Sequence, residues 1–158
     1  MLNLTPTKTW LHSHADVMLD LVRLYLGCAL FFKGVFFMSN HADLLKLIAD
    51  SGPWWFAPAA IAHYVIPVHL VGGAMLALGL LTRVAALVQL PVLVGATFFV
   101  TLPKLSLWNL EPRENFELSA LVLFLTCLVF LHGAGRFSVD ALLEKESQRE
   151  SESLPHAV

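Results

Sequence analysis

The chain has 158 residues, of which 57% are hydrophobic and only 14% charged, and its mean hydropathy is +0.70. Ordinary soluble proteins carry roughly 25% charged residues, so this composition excludes a water-soluble globule and points to a small polytopic membrane protein. A net charge of −2 leaves no basic face to neutralise phosphates, which excludes nucleic acid as a partner, and two cysteines, Cys28 and Cys127, make neither a disulfide framework nor a zinc cluster.

Residues 1–16 form an N-terminal segment, in which His12 and His14 lack the acidic or sulfur partners that a metal site needs. Residues 17–38 are predicted to cross the membrane. Arg23 and Lys33 lie within that stretch, but long cationic side chains near helix ends snorkel to the interface, and Asp20 sits three residues before Arg23, where helical side chains meet. Two cations in the apolar run, with no A-x-A-like site after it, argue against a cleaved signal peptide.

The loop from Ser39 to Ala59 holds a second pattern. Between His41 and Asp50, Leu44, Leu45, Leu47 and Ile48 share one stripe, which predicts a short interfacial helix, and Trp54 and Trp55 suit the headgroup level. The second span is predicted at 60–81. Gly79-Leu-Leu-Thr82-Arg83 is too short for anything but a tight hairpin, with Thr82 as the cap of the next helix.

Twenty uncharged residues separate Arg83 from Lys104 and give a third span at 84–102. Trp108 suits the headgroups in the following loop. Glu117 and Arg136 bracket a fourth span at 117–135, and residues 144–158 form a polar tail with too little apolar surface to bury, expected to be disordered.

The fold class is therefore all-α: an integral membrane up-down four-helix bundle over residues 17–143, in contact with the lipid bilayer. The placement of Lys and Arg favours both termini on the cytoplasmic side. Gly27 and Gly34, Gly73 with Ala77, Gly95 with Ala96, and Ser119 with Ala120 are the small residues that allow helices to approach closely. Pro67 and Pro91 each remove a backbone donor and free the carbonyls of His63 and Leu87, giving either a packed kink or a polar opening near His63.

Ordering the ionisable residues by depth collects Lys33, His63, His69 and Glu117 in the outer half of the bundle. Intramembrane ionisable groups mark functional sites by default, because an unpaired one is costly. One reading is a Lys33–Glu117 ion pair with hydrogen-bonded histidines that fixes helix register. The other is a ligand or proton site. A quinone head group suits such a site, since its two carbonyl oxygens need hydrogen-bond donors and two protons.

Haem is disfavoured, because His63 and His69 lie six residues apart on one helix and cannot face one iron from opposite sides. No metal site is expected. Cys28 and Cys127 fall near mid-span on helices that neighbour one another, but with no C-x-x-C and no adjacent cation they read as inert apolar side chains. No catalytic residue is assigned.

Three stretches carry a family resemblance: Arg23-Leu-Tyr-Leu-Gly27 with Gly34; Gly72-Gly73-Ala-Met-Leu-Ala-Leu-Gly79-Leu-Leu-Thr82-Arg83; and Gly133-Ala-Gly135-Arg-Phe-Ser138-Val-Asp140. Over residues 17–143 the chain resembles the DoxX family of small bacterial inner-membrane proteins. The resemblance implies four spans and, by analogy with the DoxD-like subunit of thiosulfate:quinone oxidoreductase, a quinone-interacting subunit working with a partner oxidoreductase or periplasmic electron donor. Two positions depart from the family pattern. His69 stands where relatives often carry a glutamate, and Phe37 stands where they carry a lysine three residues after the first-helix glycine, while Lys33 here precedes Gly34.

The alternative is a non-enzymatic membrane scaffold that docks a partner through the Ser39–Ala59 loop, or a small-solute carrier. Transport would need a homo-oligomer, because a four-span bundle has little room for an alternating-access path.

Overall fold

A computed structural model describes residues 5–51, 57–104, 116–135 and 138–153. Among them the regular structure is helical, with no strand. Helix α1 (Thr5–Ser39) runs straight from the N-terminal segment into the first apolar stretch, and α2 (His41–Ala49) follows after a single residue. Helices α3 (Pro58–Leu78) and α4 (Thr82–Thr101) come next, then α5 (Phe116–His132) and α6 (Val139–Ser153). Trp54, Trp55, Trp108 and Arg136 lie outside the described residues.

Three helical segments, Val17–Ser39, Pro58–Leu78 and Thr82–Thr101, are long and apolar enough to cross a membrane. Their bounds fall within a few residues of those that the charge gaps predict, because the gaps mark where desolvation forbids a charge. The fourth apolar helix, α5, has 17 residues. It spans about 26 Å at 1.5 Å per residue and stops at His132 instead of continuing to residue 135. Gly133 ends it by adopting φ +81°, a left-handed conformation that glycine takes without a Cβ clash.

α1 packs along α3, α3 against α4, α4 along α5, and α5 back onto α1. Leu26, Leu30, Leu76, Ala85, Leu93 and Val129 fill the space they enclose. The tightest approach is between α1 and α3. A Cβ on Gly73 would lie 2.5 Å from the Phe31 nitrogen, and one on Gly27 would lie 2.6 Å from the Ala77 Cα. Small residues here let two backbones touch, which is how helices gain packing energy in lipid. Gly95, expected to serve likewise, has nothing within 4 Å of its Cβ position and faces open space.

Large apolar side chains such as Leu21, Phe32, Leu87, Phe98, Phe124 and Leu131 remain exposed around the outside of these helices. That surface suits acyl chains, and the chain is a multi-pass membrane protein in contact with the bilayer.

Helix α2 matches the predicted amphipathic stripe. Leu44 and Ile48 are buried against Ala62 of α3, with Phe37 and Ile66 packed around them, while Asp43, Lys46 and Asp50 stay exposed. At the other end, residues 144–153 continue α6 as helix where no ordered structure was expected. Residues 142–149 of this helix are all exposed. Their Glu, Lys, Gln and Arg are good helix formers, and Ser138 starts the helix by accepting from the Ala141 amide at 3.1 Å.

Candidate functional site

Polar groups gather at three levels along the helices. The level nearest α2 contains His69, 4% exposed, in a π-helical stretch, Val68–Gly72, that interrupts α3 just after Pro67. Proline lacks the amide that would continue the ladder, and a π-turn re-pairs the carbonyls at the cost of a local bulge, a feature frequent at functional sites. The imidazole Nδ1 lies 3.0 Å from the Val65 carbonyl oxygen. A carbonyl only accepts, so Nδ1 carries the proton and Nε2 presents a lone pair.

Gly34 of α1 faces this stretch, where a Cβ would come within 3.0 Å of the His69 Cβ. The close approach brings Phe37 edge-on to His69, with ring centroids 5.5 Å apart. The Lys33 ammonium sits over the Phe37 and Phe36 rings, 5.0 and 5.4 Å from their centroids, within cation–π range. Lys33 and His69 thus share one neighbourhood, joined by Phe37.

The other two residues of the predicted set lie elsewhere. His63 is exposed, its Nδ1 donates to the Ala59 carbonyl at 2.7 Å, and its ring stands 6.2 Å from that of His41. Glu117 is exposed in the first turn of α5. Among the described residues no hydrogen bond or ion pair joins it to Lys33, His63 or His69, so the Lys33–Glu117 pair does not form.

Halfway down α4, Gln89 is fully buried, and neither its Oε1 nor its Nε2 has a hydrogen-bond partner among the described residues. It rests against Gly72, the last residue of the π-helical stretch, where a Cβ would come 3.3 Å from Nε2. The buried Thr97 hydroxyl, farther along α4, is likewise without a partner there. Burying an amide with no partner costs roughly 1–3 kcal/mol. Sequence reasoning passed over Gln89, although an amide in an otherwise uncharged twenty-residue run is a signal.

The third level is the turn between α3 and α4. Arg23 is 3% exposed and pairs with Asp20 at 3.3 Å, as the i, i+3 spacing predicts. Its guanidinium does not snorkel outward. It lies across Gly79, where Ser138 also packs, and Gly135 in turn sits on the Asp20 carboxylate. Gly79 has φ +69°, so the residue that makes the turn also clears the space for the arginine.

Thr82 was expected to cap α4, but it is the first helical residue, and the cap comes from Asp140. That carboxylate accepts from the Leu81 amide at 2.7 Å, the Thr82 amide at 3.0 Å and the Thr82 hydroxyl at 3.1 Å, while the Asp140 amide donates to the Gly79 carbonyl. Burial pushes the Asp140 carboxyl up, but the amide bonds from Thr82 and Leu81, the Thr82 hydroxyl and the charge of Arg23 outweigh it and hold it below the ordinary value.

Arg23, Gly79, Thr82, Gly135 and Asp140, which converge on this turn, come from the three stretches that carry the family resemblance. A DoxX family model matches residues 18–102, from the start of the first apolar helix to the end of the third. No curated protein and no solved structure matches the chain. The matched segment exceeds half of the 158 residues and includes Arg23, the glycines of α1 and α3 and the Gly79 turn, and the chain belongs to the DoxX family.

Proposed function

We propose that this DoxX-family chain is a redox-associated subunit of the bacterial inner membrane, with four spans and both termini in the cytoplasm, whose His69 neighbourhood receives a quinone head group. The observation that carries the reading is His69 itself: a buried imidazole on a π-turn, its tautomer fixed by Val65, flanked by Phe37 and Lys33. A bound quinone would supply a lipid-soluble carrier of two electrons and two protons. The His69 Nε2 lone pair accepts a proton or a hydroxyl hydrogen bond, the Lys33 ammonium donates to an oxygen, and the Phe37 edge gives a ring something to pack on. Electrons reach or leave the site through a partner oxidoreductase or periplasmic donor.

His63 and His41 stand close enough to the outer surface to exchange protons with water, and Glu117 serves that surface from α5. The test is quinone retention by protein purified in mild detergent, read by mass spectrometry. His69→Ala should lose quinone while keeping the wild-type helical spectrum and melting behaviour. Full retention in that variant would remove His69 from the site.

The scaffold alternative rests on α2, whose apolar side is spent on α3 while His41, Asp43, Lys46 and Asp50 face outward. Charge reversals at Asp43 and Lys46 that leave partner capture unchanged would count against it.

A further inference from the structure

Where α3 and α5 end and α4 begins, beside the Gly79 turn, a shallow groove of about 360 Å³ opens between α4 and α5. Arg83, Val84, His132, Gly133, Asp140 and Glu144 are among the residues that line it. Its depth follows from the helices themselves: the apolar stretches stop at Leu78, Thr82 and His132, so the groove lies at the level where hydrocarbon gives way to headgroups.

The polar lining has two signs of charge. The Arg83 side chain lies along Gly133, where a Cβ would come 2.8 Å from Nε, so the bare glycine seats the guanidinium against the groove wall. Arg83 is exposed and forms no ion pair among the described residues. Across the groove, Glu144 is exposed and also without an ion pair there. His132 directs Nδ1 to the Leu128 carbonyl at 3.0 Å, which leaves Nε2 as an acceptor. The Asp140 oxygens are already engaged by Leu81 and Thr82.

From the groove toward the helix interiors the flanking surface is apolar: Val84, Leu87 and Leu131 are 51, 52 and 67% exposed.

We propose that this groove binds the headgroup of a phosphatidylethanolamine from the adjoining leaflet. Arg83 takes the phosphate, Glu144 and His132 accept the ammonium N–H groups, and the acyl chains run down over Val84, Leu87 and Leu131. The charge pattern selects among lipids. Choline has no N–H to donate to Glu144 or His132, and phosphatidylglycerol brings a negative charge to a groove that already holds two carboxylates. The site is independent of the quinone reading.

The test uses the full chain in detergent with an equimolar mixture of phosphatidylethanolamine, phosphatidylcholine and phosphatidylglycerol, with bound lipid read by native mass spectrometry. Wild type should favour phosphatidylethanolamine by about fivefold over either competitor, the scale set by one charge near the membrane surface. Arg83→Ala should lower retention of all three lipids. Glu144→Gln should keep bound lipid but erase the preference over phosphatidylcholine. Glu144 is exposed on an outer helix, so this variant folds and carries the test even if Arg83→Ala does not. Equal retention of the three lipids overturns the proposal, as does a preference for phosphatidylglycerol or an ethanolamine preference that survives Glu144→Gln. Displacement of the lipid by millimolar soluble phosphoethanolamine would assign the groove to a free headgroup and likewise overturn it.

Discussion

Phe37 and His69 meet edge to face across the α1–α3 contact, with an interplanar angle of 72°. These are the two positions at which the family resemblance leads to the expectation of a lysine and a glutamate. In sequence they are separate substitutions 32 residues apart. In the fold they are one contact, and Lys33, one turn before Phe37, sets its ammonium over the Phe37 ring.

That coupling predicts a double-mutant cycle with a large interaction term. Phe37→Lys alone sets a second ammonium beside Lys33 and should cost about 1–3 kcal/mol. Adding His69→Glu gives the new cation a partner and should recover most of the loss. Thermal unfolding of the four proteins in one detergent reads the cycle; additive losses would show that the positions do not interact.

Asp140→Ala should destabilise the chain by about 1–2 kcal/mol through the loss of a helix cap. The pH dependence has a definite sign. Because the folded carboxyl is held below its ordinary value of 3.8, the stabilisation is complete above that value and is lost as pH falls through the lower, folded one. The stability difference between wild type and Asp140→Asn should be flat from pH 7 to pH 5 and shrink only below about pH 4.

Gly73 and Gly95 should respond in opposite ways to alanine. At Gly73 the new methyl would strike the α1 backbone, so α1 and α3 must separate and the protein lose melting temperature. At Gly95 the methyl meets open space, and alanine should be neutral or gain up to about 1 kcal/mol of helix propensity. A melting comparison in detergent decides it, and equal losses at both sites would contradict the α1–α3 contact.

Gln89→Leu replaces a buried, unpartnered amide with an apolar side chain of similar size. The variant should melt higher than wild type, by an amount equivalent to about 1–3 kcal/mol. If the amide serves the His69 site through Gly72, quinone retention should fall as stability rises. A variant that melts lower would mean that Gln89 has a partner in the folded protein.

Much of the architecture was legible because desolvation writes it into the sequence: charges bracket the apolar helices, and the stripe of α2 marks the face it buries. Depth is legible for the same reason, and Lys33 and His69, which depth alone groups, both lie against Phe37. Azimuth is not. Six residues turn a helix by about 600°, which sets His63 about 120° around the helix from His69, and His63 meets His41 instead. The Asp140 cap was out of reach for a different reason: local spacing suggested Thr82, while the actual acceptor lies 58 residues away.

That separation bears on how the protein is made. Thr82 is synthesised 58 residues before Asp140, so until that carboxylate arrives the Leu81 and Thr82 amides have only water to satisfy them. Only when α5 has packed along α4 and the polypeptide has come back to the Gly79 turn can the carboxylate replace that water. The final residues of the membrane domain therefore act as a late fastening on the α3–α4 turn, and a nascent chain arrested before Asp140 would hold that turn without its cap.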